Sequence, residues 1–441
     1  MARGLVTPDK IRNLQKKLYV KAKSEPAFRF YQLYDKVYRA DILEHAYRLR
    51  RSAGGAAGVD GETFEDIEAA GVEAWLRSLE TELHEGSYTP QPVRRVMIPK
   101  ANGGERPLGI PTIRDRVAQT AAMLVLEPIF EADFEANAYG YRPGRSAQDA
   151  VQDVLASLKH GQSHVVDADL SKYFDTIPHR ELMQSVARRI SDRKMLHLIK
   201  MWLKTPVEET DGRGRKVLKG AGNEGTPQGG VISPLLANIY IHRLLRAWIK
   251  FDLERLLGAR IINYADDLVI VCRSAIAARG AHTWLRWIVE KLGLRLNETK
   301  TSVRNARTET FDFLGYSFGP VGRTQTGTKY VTAAPSKKVV ERTKAKLKHV
   351  LSPANHDPLP DVIGRINRAL IGWANYFRLG AVRKAYRAID RYLYEQLRRF
   401  LRRRHKVPSR GTMQYNYRVL KQHGVVVLQD RYRRRTSHAC T

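Results

Sequence analysis

The chain has 441 residues, 43% of them hydrophobic and spread along its length, which is ample for packed cores and excludes wholesale disorder. Its 76 Lys and Arg stand against 45 Asp and Glu, a net charge of +31 that calls for an anionic partner. No apolar run reaches the roughly 20 residues that cross a bilayer, and the two cysteines, Cys272 and Cys440, exclude a disulfide framework and a Cys-rich zinc site.

Residues 8–51 place Ile11, Leu14 and Leu18, then Phe30, Leu33 and Val37, at steps of three and four, and predict a basic, helical extension. Small residues from Ser52 to Gly61 break it, and a second helical stretch runs to Gly86. Between Pro92 and Pro111 two apolar runs flank Lys100-Ala-Asn-Gly-Gly-Glu-Arg106, a β-hairpin with cations at its tip. Helix is expected from Arg114 to Phe134 and, after the turn Gly140-Tyr-Arg-Pro-Gly-Arg145, on to His160. The run His164-Val-Val-Asp-Ala-Asp-Leu170 predicts a short strand that ends in acids. A helical region to Lys204 and a polar hairpin from Asp211 to Gly225 lead to the turn Thr226-Pro-Gln-Gly-Gly-Val-Ile-Ser-Pro-Leu-Leu-Ala-Asn238, which feeds a helix. In Arg260-Ile-Ile-Asn-Tyr-Ala-Asp-Asp-Leu-Val-Ile-Val-Cys272 two β-branched runs meet at a pair of aspartates. One more helix and the strand Phe311-Asp-Phe-Leu-Gly-Tyr-Ser-Phe318 close this region. Strands and helices alternate without a regular βαβ period, so the expected class is α+β.

Beyond Pro335 the pattern is all helical. Ile363, Ile366, Leu370, Trp373 and Phe377 form one apolar stripe, and Tyr386, Ile389, Leu393, Leu397 and Phe400 form another. Arg383, Arg387 and Arg391, continued by Arg398 and Arg402, make a cationic ridge between them. From Val331 to Thr441 there are 26 Lys and Arg against 6 Asp and Glu, a net +20 of the total +31. Clustered charge of this kind points to nucleic acid, with a generic solvated basic surface as the alternative.

Acids on strand ends in so basic a chain need a cause, because an Asp in an apolar strand is costly unless it is paired or binds a cation. Asp169 ends one strand, and Asp266 and Asp267 lie in the hairpin. If these strands are neighbours, the three carboxylates cluster and suit a hard divalent cation. Two Mg2+ ions about 4 Å apart could clamp the attacking and leaving oxygens of an in-line phosphoryl transfer. A capped turn is the alternative for Asp266 and Asp267 taken alone.

Tyr264-Ala-Asp-Asp267, with Asp169-Leu-Ser-Lys-Tyr-Phe-Asp175 upstream and Gly225 to Asn238 between them, resembles the reverse transcriptase palm. Arg106-Pro-Leu-Gly-Ile-Pro-Thr-Ile-Arg-Asp-Arg116, Tyr141-Arg-Pro-Gly-Arg145, Phe313-Leu-Gly-Tyr316 and Gly372-Trp-Ala-Asn-Tyr-Phe377 resemble the bacterial group II intron-encoded proteins, in colinear order over residues 8 to 430. The resemblance implies a right-hand polymerase fold of fingers and palm followed by an all-helical thumb, or maturase domain X. It implies an N-terminal basic extension over 1–58, fingers over 59–160, palm over 161–330, thumb over 331–408 and a basic tail over 409–441.

By the same resemblance, Asp169, Asp266 and Asp267, with the carbonyl of Leu170, hold two Mg2+ ions. Phe174 matches the aromatic that closes the sugar pocket against a ribose 2′-hydroxyl, ordinary packing being its alternative. Lys100 and Arg106 match the pair that grips the triphosphate of a deoxynucleotide substrate, or else form a solvated hairpin tip. Gln228 matches the residue at the nucleotide sugar and primer terminus, or a structural turn. Phe313, Leu314 and Gly315 match the primer grip, where glycine permits close backbone approach. Asp115 and Asp175 are expected to hold local structure.

The implied activity is that of an RNA-directed DNA polymerase and maturase. It would bind its group II intron RNA through phosphate contacts and shape, assist splicing, and copy the intron from a DNA target primer through an RNA–DNA hybrid. No membrane and no obligate protein partner is expected, and the location would be the cytoplasm, at the nucleoid through RNA and DNA. With Cys272 in a palm strand and Cys440 in the tail, no Cys-paired nuclease domain is expected. The basic stretch Arg431 to Arg435 fits either DNA contact or a disordered end. A splicing factor without polymerase activity and a reverse transcriptase turned to defence or repair are the rival readings; the three intact aspartates argue against the former.

Overall fold

The computed structural model describes residues 5–99, 104–212, 214–227, 229–324 and 326–437; Lys100 and Gln228 lie outside the described residues. The palm is a four-stranded antiparallel sheet in the order Ala259–Tyr264, Asp267–Cys272, His164–Asp169, Ser302–Asn305. Its central strands are apolar on both faces, and the twofold strand period sorts them into two cores. Val166, Ala168, Leu268, Ile270 and Cys272 enter the large core shared with the fingers. Val165, Val269 and Val271 enter a smaller one that also holds Phe311, Phe313, Tyr316 and Phe377. Asp167 and Asp169 share the face of Val165, and Asp267 that of Val269, so the acids point toward the side where palm meets thumb.

The expected finger hairpin forms between Val93–Pro99 and Glu105–Ile110, and Val207–Thr210 and Lys216–Lys219 extend it to four strands. Beneath it runs the helix Ile113–Glu131. Fifteen of its 19 residues are buried, which makes it an internal spine rather than an amphipathic surface helix. The extension packs along this spine: Ile11, Leu18 and Ala22 are buried, Gln15 Nε2 donates to Leu124 O at 3.0 Å, and Lys23 Nζ donates to Ala132 O at 2.8 Å. The extension is not one helix but three, Asp9–Ser24, Tyr34–Val37 and Ala40–Ala53. Pro26 cannot continue the first, and the extended segment after it pairs Phe30 N with Arg189 O at 2.7 Å.

The thumb follows a three-stranded antiparallel sheet, Phe311–Phe313, Tyr316–Arg323 and Lys329–Pro335. Helices Lys337–Val350, Leu359–Tyr376 and Arg383–Arg404 bury the second apolar stripe against Ile366 and Leu370 of the first, whose last residue, Phe377, enters the palm-side core instead. The tail is not loose. Helices Tyr417–Gln422 and Leu428–Ser437 return to the thumb, where Leu420 and Leu428 complete its core. The buried carboxylate of Asp390 accepts hydrogen bonds from Leu428 N at 2.9 Å and Gln429 N at 3.0 Å, satisfying orphan donors at that helix start. Among the described residues no helix is long and apolar enough to cross a membrane.

Leu428 is fully buried, so Leu428→Ala should remove about 2–5 kcal/mol of thumb stability. Hydrogen exchange in Leu359–Tyr376 and Arg383–Arg404 is the measurement, and unchanged protection there would show that the tail does not support the thumb.

Candidate active site

Pairing of the strands His164–Asp169 and Asp267–Cys272 sets Asp169 directly opposite Asp267. Opposed residues of an antiparallel pair project to the same face, their β-carbons about 4.5–5.5 Å apart. Tyr264 pairs with Asp267, leaving Ala265 and Asp266 as a two-residue turn. Ala265 has a left-handed backbone at φ +56°, as such turns demand and side chains other than glycine resist. The turn survives because its surroundings enforce it. Asn263 Nδ2 donates to Ala265 O at 2.8 Å, Asn263 N donates to Asn137 O at 2.9 Å, and Tyr139 N donates to Asn263 O at 2.9 Å. Gly140 lies so close that a β-carbon there would collide with the backbone of Ala265, and Asn238 Nδ2 fixes Gly140 O at 2.8 Å.

Asp169 is held from the other side. Its Oδ2 accepts from Lys300 Nζ at 3.0 Å and Asn297 Nδ2 at 3.1 Å, and its carbonyl accepts from Asn297 N at 2.8 Å. Among the described residues no three Asp, Glu, His or Cys side chains are gathered as a ready metal cluster. The donor set nonetheless fits a hard divalent cation: three carboxylates, two in direct register and one in the adjoining turn, with a lysine ammonium now serving as counter-charge to one of them. Burial, with Asp266, Asp169 and Asp167 nearby, pushes the Asp267 carboxyl up to about 7 despite the opposing pull of Lys300. Burial likewise raises Asp167 to about 6, against the guanidinium of Arg304 and with Asp312 and Asp169 adding to the rise. For these two acids the nearby positive charge does not offset burial and the neighbouring carboxylates.

Phe174 is buried next to the site, with its ring 6.3 Å from that of Tyr141 in an edge-on contact. Tyr141 is half exposed at a backbone φ of +55°; burial raises its phenol, aided by Asp266 and opposed by Arg106, so it stands between finger hairpin and turn. Thr226 N donates to Phe174 O at 2.7 Å, which ties the segment leading to Gln228 to the base of the site.

The three residues expected at a primer grip divide. Phe313 is a core residue, whereas Leu314 and Gly315 form the two-residue turn between Phe313 and Tyr316, with φ of +50° and +79°. Tyr376 Oη donates to Leu314 O at 3.0 Å, and Tyr316 Oη donates to Tyr376 O at 2.7 Å. A cleft of about 640 Å³ opens from this turn between two thumb helices, lined by Arg342, Lys346, Arg368 and Trp373. The ridge also divides: Arg383, Arg387 and Arg391 are exposed, while Arg398 and Arg402 are half buried, with Arg402 against Gly411 of the returning tail.

Residues 98–318 match the family model described as reverse transcriptase (RNA-dependent DNA polymerase), and residues 340–417 match the group II intron, maturase-specific domain. Protein YkfC of Escherichia coli is 36% identical over 341 residues, covering 69% of this chain and 87% of that protein. The chain belongs to the group II intron reverse transcriptases. It is also 38% identical over 232 residues to the group II intron-encoded protein LtrA of Lactococcus lactis, covering 51% of this chain and 37% of LtrA. The putative COX1/OXI3 intron 1 protein of Saccharomyces cerevisiae is 27% identical over 443 residues, covering 88% of this chain and 51% of the yeast protein. The chain thus spans most of YkfC, about half of the yeast protein and just over a third of LtrA. Telomerase from Candida albicans aligns with a TM-score of 0.44 at 12% identity, over 75% of this chain and 64% of that one.

In this reverse transcriptase several site residues carry no chemical signal of their own. Gly140, Asn238 and Asn263 only hold the turn in place. Lys300 and Asn297 lie more than a hundred residues from the Asp169 they contact, and period alone does not reveal such a pairing. The glycine at 140 and the polar Asn238 inside an apolar helix were the available cues.

The raised carboxyl of Asp267 has a signed consequence. Ionising it costs folded-state stability, so that contribution is lost as pH rises from about 4, its unfolded value, through about 7. In EDTA, Asp267→Asn should therefore melt higher than the parent at pH 8, with the gain vanishing by pH 4. Equal melting curves at pH 8 would show that Asp267 is not electrostatically frustrated.

Proposed function

We propose that this chain extends a DNA primer on an RNA template, copying the intron RNA that its thumb and extension bind as a maturase, and that it works at the nucleoid. The observation that carries the reading is the register that sets Asp169 opposite Asp267, with Asp266 in the adjoining turn. Asp169, Asp266 and Asp267, with the carbonyl of Leu170, would hold Mg2+, two ions in the full arrangement. Bound there, the metal would activate the primer 3′-hydroxyl and neutralise charge on the leaving pyrophosphate. In the transfer, the primer 3′-hydroxyl gives its proton to solvent and its oxygen bonds to the α-phosphorus, while the bond from that phosphorus to the pyrophosphate oxygen breaks.

The chain's own residues position this exchange. Lys300, which pairs with Asp169, would yield that contact to a bound metal and remain beside the site as a cation. Arg106, with Lys100 at the same hairpin tip, would grip the triphosphate, where cations are worth most as charge develops on the leaving group. Gln228 would meet the nucleotide sugar. Phe174 would close the sugar pocket from below, with Tyr141 stacked edge-on to it. The Leu314–Gly315 turn would seat the primer end, and the cationic cleft beside Trp373 would receive the backbone of the RNA–DNA hybrid. The exposed ridge of Arg383, Arg387 and Arg391 is left to intron RNA, read through phosphates rather than bases.

Asp266→Asn combined with Asp267→Asn should abolish primer extension on an RNA template while intron RNA binding persists, since the change lies away from the thumb ridge. DNA synthesis retained by that variant would sink the site assignment. Phe174→Ala should raise ribonucleotide incorporation relative to deoxynucleotide in single-nucleotide extension, and an unchanged ratio would refute the gate.

A further inference from the structure

One face of the helix Ser233–Lys250 carries Ile239, His242, Arg243 and Arg246 at steps of three, one and three residues. It begins at the residue after Asn238 and closes a cavity of about 250 Å³ against Asp133 and Phe134, just past the spine's end, and Arg188 and Arg189. The four arginines do different things. Arg189 is structural: its guanidinium donates to the carbonyls of Glu25 at 3.1 Å, Phe28 at 3.2 Å and Ala22 at 2.6 Å, and its Nε faces Asp133 Oδ2 at 3.1 Å, so it both pins the extension and offsets the one acid in the wall.

Arg188, Arg243 and Arg246 form no ion pair with a described residue. Three nitrogens in this wall, Arg243 Nη1, His242 Nδ1 and Arg189 Nε, are shut off from water without a hydrogen-bond partner among the described residues, the last having only its ion pair with Asp133. Leaving buried polar atoms unpaired is costly, and more so for charged ones, so they mark a place for a ligand. Burial and the arginines hold His242 down to about 4, hence neutral near pH 7, when one ring nitrogen can donate without adding charge. Its ring is fixed edge-on to Phe134 at 5.6 Å.

We infer that this cavity binds a phosphate group, gripped by Arg188, Arg243 and Arg246 with His242 in its wall, at a site separate from the three aspartates. Guanidinium forks from one helix and from the turn at Arg188, lining one cavity, match a dianion with several acceptor oxygens, which a carboxylate lacks. The phosphate belongs either to an RNA backbone reaching round to this side or to a free phosphate ion. The inference does not depend on the polymerase reading, because its primary readout is binding.

Arg243→Gln combined with Arg246→Gln tests it in the full chain, with Arg273→Gln combined with Arg279→Gln as a charge-matched control elsewhere on the palm. Inorganic phosphate should raise the melting temperature of the parent and the control above that in chloride of equal ionic strength, and the rise should be lost in the pocket variant. Intron RNA binding, followed against salt, then separates the sources. A logarithmic salt slope shallower by about 1 in the pocket variant than in the control assigns the phosphate to RNA, and an unchanged slope assigns it to the free ion. Equal phosphate shifts in parent and pocket variant, or none in either, overturn the site whatever the salt slope does. Where the double variant does not fold, Arg246→Gln alone, an exposed position, is read by the same criteria.

Discussion

The antiparallel register between His164–Asp169 and Asp267–Cys272 is the constraint on which the molecule turns. Moving one strand by a single residue would carry Asp267 to the opposite face of the sheet and bury an unpaired carboxylate in the large core. The valines, isoleucine and leucine that alternate with the acids resist that slip, because each face of the sheet has its own core to fill. The turn at Ala265 fixes the remaining freedom. It is strained for an alanine, and the protein compensates with a glycine pressed against it and asparagines bonded to the backbone on either side.

The electrostatics follow from that geometry. Basic side chains are abundant, yet they are distributed so that the acids are left short of counter-charge: Arg142 is taken by Glu131 and Arg260 by Asp153, and among the described residues Lys300 is the one that forms an ion pair with the three aspartates, at Asp169. The buried carboxylates resist ionisation as a result, a condition that a divalent cation would relieve more fully than one flexible ammonium. The excess positive charge lies elsewhere, on finger hairpin, thumb and ridge, where phosphates can meet it.

Much of this was legible before any coordinates. Alternation of apolar residues and acids foretold both palm strands, and the doubled aspartate between β-branched runs foretold the hairpin, because a twofold period leaves little choice of face. The thumb stripes were equally plain, each an i, i+3, i+4 series. The break at Pro26 is hard to see because Ile11 to Leu18 and Phe30 to Val37 each make a three-and-four series of their own, and each reads locally as helix. The folded tail was missed because its helices are short and its two anchors, Leu420 and Leu428, are too few to make a period; the cap that Asp390 supplies comes from another helix. Within the site, residues that do chemistry stood out, while those that hold it in place did not. A glycine that admits a neighbouring backbone and an asparagine that bonds one look like any other glycine or asparagine in a chain.

The paired tyrosines at the palm–thumb junction have a mechanical meaning. Tyr316 belongs to the palm-side sheet and bonds the carbonyl of Tyr376, while Tyr376 sits at the end of a thumb helix and bonds the carbonyl of Leu314. Each ring thus crosses the junction in the opposite sense, and the two stack 6.2 Å apart. A hinge cannot be placed between the thumb helix and the Leu314–Gly315 turn without breaking both bonds. The thumb and the turn therefore behave as a single lever, and a strand end resting on that turn would advance or withdraw in step with the thumb helices behind it.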